Sequence, residues 1–228
     1  MLKHMATSFQ SVAAVLSKDV QSELRVRYAI NALVMFILTS VSTILFALRY
    51  ERPTPTLFAG LYWVVVFFSA MSGLSRAFVG EEERGTSLTL RLIATPAAIY
   101  AGKLVANTIL TLLLASAVTV LYLLTFPGFS VQSYDIFAVT VLLGAVGIAA
   151  ATTILAAMIA KAQARGALFP VLSFPVLIPL FMTVLDATDK ALSGDDFGEA
   201  FGDFQVLAGY AMVMIAGSAL LFAEVWND

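Results

Sequence analysis

Six stretches of about 20 apolar residues, each able to cross roughly 30 Å of hydrocarbon as a helix, constrain this chain more than any other feature. They fall near residues 29–48, 57–79, 99–126, 136–160, 167–185 and 205–225. Helices are expected throughout, because a backbone in lipid must satisfy its own hydrogen bonds and the short alternating segments of a membrane barrel are absent. Composition agrees: with 12% charged residues and a mean hydropathy of +0.92 over 228 residues, the chain lies outside the range of soluble globular domains. The expected fold class is an all-α integral membrane protein, with residues 29–228 as one six-span domain. Aromatics sit near several span ends, where interfacial anchors belong: Tyr28, Tyr50, Tyr100, Tyr122 and Trp226.

Orientation follows from the basic residues. With the N-terminus inside, the inner segments hold Lys3, Lys18, Arg25, Arg27, Arg76, Arg84, Arg91, Lys103, Lys161 and Arg165. The outer loops hold only Arg49, Arg52 and Lys190, so both termini are expected in the cytoplasm. An acidic outer loop over 186–204 then carries Asp186, Asp189, Asp195, Asp196, Glu199 and Asp203, and reads as a solvated loop.

Residues 1–28 lack the continuous apolar run of a signal peptide. Phe9, Val12, Ala13, Leu16, Val20 and Leu24 recur every three or four positions, while Ser11, Lys18, Gln21 and Ser22 fall off that stripe. This predicts an amphipathic helix, either in the inner membrane interface or packed on the protein's own spans.

Chemistry of the enzymatic kind finds little footing. The chain has no cysteine, and its one histidine is His4, which excludes a thiolate metal site and leaves no histidine in any span. GLSRA at Gly73–Ala77 lacks the last glycine, the strand context and the histidine partner of a nucleophile elbow. GKL at Gly102–Leu104 lacks the glycine spacing and the hydroxyl of a phosphate-binding loop, so no ATPase site is expected in this chain. The spans are poor in the buried carboxylates that proton-coupled carriers use. Thr108, Thr111, Ser116, Thr119, Gly144, Gly147, Ala151, Thr152 and Thr153 read first as a close-packing seam between the third and fourth spans.

The fifth span carries Pro170, Pro175 and Pro179 within ten residues. Each lacks an N–H and crowds the carbonyl four residues earlier, so a bent or broken helix is expected. It is either a fixed kink fitted to a packing partner or a hinge that moves.

Between the second and third spans lies GEEERGTSLTLRLIATP, Gly80–Pro96. At roughly 2.5–3.5 kcal/mol for one charge at the bilayer centre, Glu81, Glu82, Glu83 and Arg84 must stand outside the hydrocarbon. Gly85 and Thr86 make a break and a candidate N-cap, and about two helical turns follow before Pro96. Leu88 and Leu92 sit apart from Leu90, Ile93 and Ala97, so this short helix has apolar groups on two sides. That suits contact with both the membrane domain and a partner protein; a membrane-hugging loop is the plainer alternative.

This exit, marked by Glu81, Glu83, Gly85 and Thr86, then Pro96, then Gly102, Lys103 and Asn107, resembles that of the type-2 exporter permeases of ABC transporters. Within them the chain resembles the haem exporter protein B family of cytochrome c maturation. The likeness extends through SELRVRYAIN at Ser22–Asn31, GLSRAFVGEEERGT at Gly73–Thr86, LLG at Leu142–Gly144, Arg165–Gly166 and FPVLIPLF at Phe174–Phe181.

The resemblance implies a subunit without its own ATPase site, coupled through Glu81, Glu82, Glu83, Arg84, Gly85, Thr86, Leu88 and Arg91 to a separate cytoplasmic ABC ATPase. It implies a haem-handling membrane protein, a small membrane subunit, a periplasmic haem chaperone and a second permease copy or homologous half. The inner-membrane location comes with it, and Glu23, Arg25 and Arg27 match its segment before the first span. No cofactor is expected to bind tightly, with haem as cargo of the complex and ATP on the partner. Rival readings are a permease for a drug, lipid or polysaccharide, and a scaffold that relays ATPase motion to the haem-handling protein.

Overall fold

Thr54–Pro55 and Thr95–Pro96 each set a hydroxyl one residue before a proline, which is the chemistry of a helix start. In the computed structural model, which describes residues 27–48, 51, 53–75, 78, 95–160 and 165–227, both pairs act this way. Thr54 Oγ1 accepts from the Leu57 N–H at 3.2 Å and Thr95 Oγ1 from that of Ala98 at 3.3 Å. The prolines take the first helical position, where a missing N–H costs nothing.

The helices are α1 (Arg27–Ala47), α2 (Pro55–Leu74), α3 (Pro96–Thr125), α4 (Tyr134–Ile159), α5 (Arg165–Ser193) and α6 (Phe201–Asn227). All six are long and apolar enough to span a membrane, and no strand occurs among the described residues. The expected helix over the N-terminal segment and the short helix after Thr86 lie outside the described residues.

α4 is the centre, packed on α3, α5 and α6, while α2 joins α1, α3 and α5. A Cβ at Gly144 would run into the Trp63 indole, and one at Gly147 would lie 2.6 Å from Leu180 Cδ1, so glycine permits the close approach. Thr140, Thr152 and Thr153 turn their hydroxyls to carbonyls one turn back at 2.6–2.7 Å, which satisfies them without water. Asn107 Nδ2 crosses from α3 to donate to Thr153 Oγ1 at 2.9 Å. The small-residue stripe is thus a packing seam, with one correction: Ser116 is exposed on the outside of α3.

Three further expectations change. Of the bent or broken helix expected at the prolines, the break is excluded: α5 runs continuously from Arg165 to Ser193. Each proline removes one donor, and Tyr210 Oη of α6 donates at 2.9 Å to the carbonyl of Val176, three residues before Pro179. The acidic loop is shorter than 186–204: Asp186 and Asp189 ride the last turns of α5 and Asp203 the first turn of α6. The turn comes at Gly194, whose φ of 87° suits glycine. Finally, Tyr100, Tyr122 and Trp226 are buried aromatics rather than interfacial anchors; Tyr28 stands exposed, and Tyr50 lies outside the described residues. Tyr100 packs on Phe222 at 5.5 Å, Tyr122 on Tyr62 at 5.7 Å, and Trp226 stacks on Phe222 at 5.5 Å.

Candidate functional site

Glu81, Glu82, Glu83, Arg84, Gly85, Thr86, Leu88 and Arg91 lie outside the described residues, as do Glu23 and Arg25; Arg27 opens α1. What the structure does describe is the packing of the residues that flank the charged segment in sequence. Phe78, just before it, is buried 5.7 Å from both Phe222 and Trp226, with Lys103 Nζ 5.1 Å from its ring centroid. A cation over an aromatic face in a dry site is attractive by about 0.5–2 kcal/mol. Gly102, Lys103 and Asn107 of the sequence motif all face inward, so this motif belongs to the packing of α3. The sequence marks Lys103 as an inner positive charge and as part of the motif that opens the third span, but gives no role to Phe78; a lone aromatic among apolar residues carries no signal of its own.

The opposite end of the bundle is a polar knot that gathers three connections. Ser133 Oγ donates to the Asp195 carbonyl at 2.8 Å, and the N–H groups of Gln132 and Ser133 both donate to the Ala191 carbonyl at 3.0 Å. Three consecutive residues of α5 then bind four different partners. Thr188 Oγ1 accepts from Trp63 Nε1 at 2.8 Å, Asp189 Oδ1 accepts from Thr56 Oγ1 at 2.8 Å, and Lys190 Nζ bridges Asp186 and Asp203, each at 2.8 Å. Helix α5 is therefore tied to α2 and α6 at this end.

Pro170, Pro175 and Pro179 lie on the remaining length of the same helix. Beside them, between α2 and α5, runs an apolar groove of about 420 Å³, lined by Gly60, Trp63, Phe67, Phe68, Phe174 and Met182 among others. Apart from the Thr56 hydroxyl, which is bonded to Asp189, this lining offers no acid, base or nucleophile. Among the described residues no three histidine, cysteine or carboxylate side chains gather to hold a metal ion. The described residues thus set a motif-bearing aromatic pack at one end, a fastened end opposite, and a proline-bearing helix between them.

No curated protein matches the chain. Residues 10–225, nearly the whole length, match the family described as CcmB protein. A membrane domain of six apolar helices, carrying the charged segment and inward-facing motif of an exporter permease, accords with that match. The chain belongs to the CcmB family and is a multi-pass permease component of the ABC-type haem exporter of cytochrome c maturation.

Proposed function

We propose that this permease converts ATP hydrolysis on a separate cytoplasmic ATPase into haem export or into release of a haem-loaded periplasmic chaperone. The ATPase grips Glu81–Arg91, pushes that segment, tilts α2 and α3, and so reshapes the far side of the bundle near α5. The observation that carries this reading is the position of α2, which leads into the charged segment: 12 of its 20 residues are buried, and it packs directly on α5. Movement imposed at one end of α2 is felt by the proline-bearing helix.

The permease sits in the bacterial inner membrane with both termini in the cytoplasm, as the ten inner basic residues favour. It works with a second copy or homologous half, the haem-handling membrane protein, the small membrane subunit and the periplasmic chaperone. Alkaline phosphatase fused at Gly194 should be active and at Thr86 inactive, and the reverse pattern would overturn the orientation. Glu82→Lys with Glu83→Lys should release or uncouple the ATPase. Unchanged ATP-dependent cytochrome c maturation in that double variant would defeat the coupling assignment.

A second reading has its own observation. The inward threonine hydroxyls of α3 and α4 are spent on helix carbonyls, and Thr153 also takes the Asn107 amide, so this seam offers haem no polar path. In this reading the chain relays motion and the haem-handling partner carries the cargo. Reconstitution with labelled haem separates the two: ATP-dependent accumulation without that partner would defeat the relay.

A further inference from the structure

The groove between α2 and α5 has a shape, a length and a charge that together specify an occupant. Its outward-facing wall is exposed at Val64, Phe68, Phe174, Ile178 and Met182, so it opens sideways to the bilayer. Its length is limited. From Thr56 to Phe68 is twelve residues, or about 18 Å of helix, whereas the hydrocarbon core measures about 30 Å. At the inner limit Phe67 closes against Phe181 at 5.3 Å and Phe174 at 5.9 Å. A partner's transmembrane helix needs a contact running the full thickness; this slot ends near the midplane, one leaflet deep.

The slot is also kept open by a missing side chain. A Cβ at Gly60 would meet nothing within 4 Å, in contrast to Gly144 and Gly147 on α4. At the mouth, Asp189 sits beside Thr56 and takes a bond from that neutral hydroxyl alone among the described residues. The connections at this end hold Glu51, Asp135, Asp186, Asp189, Asp195, Asp196, Glu199 and Asp203 against only Arg49, Arg52 and Lys190. Such a field attracts a cationic head and repels anionic heads, including the two propionates of haem.

We propose that this groove binds one acyl chain of a phospholipid from the leaflet on the α5–α6 side, and that Asp189 selects an ammonium headgroup. The bound chain fills the space between the helix driven by the coupling segment and the helix that carries the prolines.

Trp63 lines the groove and provides the readout. The chain has two tryptophans, so Trp226→Phe, which keeps a ring against Phe222, leaves Trp63 as the sole emitter. The full chain would be placed in vesicles carrying chain-brominated phosphatidylethanolamine or chain-brominated phosphatidylglycerol. Bromine should quench Trp63 at about threefold lower mole fraction of the ethanolamine lipid, the scale of one exposed charge contact. Asp189→Asn should abolish that difference, and Gly60→Phe should weaken quenching by both lipids. Gly60→Leu serves if the phenylalanine variant does not yield a monodisperse protein.

Equal quenching in the native and Gly60 variants would overturn the groove as a lipid site. Equal quenching by the two lipids with Asp189 intact would overturn the headgroup selection. Disulfide dimers through Gly60→Cys, without bromine quenching, would assign the groove to a second copy. Quenching by added haem that bromolipid does not relieve would assign it to the cargo.

Discussion

α4 and α5 have equally apolar centres: the 18-residue apolar windows within Tyr134–Ile159 and Leu168–Ser193 share a mean hydropathy of 2.2. Yet 72% of the first window is buried in the protein and 28% of the second. In water, hydrophobicity decides what goes inside. In a bilayer the lipid tails are as apolar as leucine, so the helix that admits the closest backbone approach takes the centre. Gly144, Gly147 and the run Ala149–Ala151 give α4 that property, while α5 offers Leu, Phe, Val and Met to the lipid. Size, rather than hydropathy, separates the two helices.

The comparison breaks if volume added to the α4 seam is tolerated. Gly144→Leu should displace the Trp63 indole and with it the bond to Thr188, costing about 3 kcal/mol through overpacking. A lower melting temperature in detergent, or loss of monodisperse protein, is the expected result. Leu172→Ala on the exposed face of α5 should stay within about 0.5 kcal/mol, as isolated surface changes usually do. Native melting for Gly144→Leu would remove the basis for putting α4 at the centre.

A smaller effect is expected where α5 is fastened. Lys190→Met leaves Asp203, whose side chain is 15% exposed, without its cation and unties α5 from α6. The pair is partly buried, so the loss should be about 1–2 kcal/mol, between the values for exposed and fully buried pairs. Asp186→Asn should cost less, because its side chain is 59% exposed. Thermal unfolding that ranks Asp186→Asn above Lys190→Met would show that the bridge to α6 carries no tension. Smaller again, a double-mutant cycle of Asn107→Ala and Thr153→Val should give about 0.6 kcal/mol of coupling, typical of hydrogen bonds between membrane helices.

Much of this fold was legible because hydropathy and breakers agree at most ends. They disagree in particular places. The second and third spans begin at Pro55 and Pro96 rather than near 57 and 99, since a capping threonine and a proline start a helix before its apolar run does. The fifth continues past Leu185 through Asp186, Asp189 and Lys190. Charge ends the apolar run there, but nothing ends the helix until Gly194, and the Asp186–Lys190 pair one turn apart supports the last turns. Tyr100, Tyr122 and Trp226 were misread because composition gives a residue's depth along a span but not the face it occupies. The polar knot was least legible: Thr56, Trp63, Thr188 and Asp189 are far apart in sequence and form no motif. The groove depends on an empty space at Gly60, which no single residue announces.

The smallest effect on stability, and the most telling for movement, concerns Pro179. The helix is already continuous around it, so Pro179→Ala restores one donor opposite the Pro175 carbonyl and should change the melting temperature little, by about 0.5 kcal/mol or less. A proline that only fits a fixed packing shape would leave function equally unmoved. The asymmetry along α5 argues otherwise. Thr188, Asp189 and Lys190 bind one end to α2 and α6, while the three prolines thin the backbone bonding along the rest. Bending is cheapest where bonds are missing, so displacement of α2 by the ATPase should be taken up between Pro170 and Pro179 rather than at the fastened end. Pro179→Ala should therefore retain ATP hydrolysis by the assembled transporter but lower cytochrome c maturation, and Pro170→Ala with Pro179→Ala should lower it further. If maturation is untouched in both variants, α5 is a rigid strut, and the contrast with α4 reduces to which face meets the lipid.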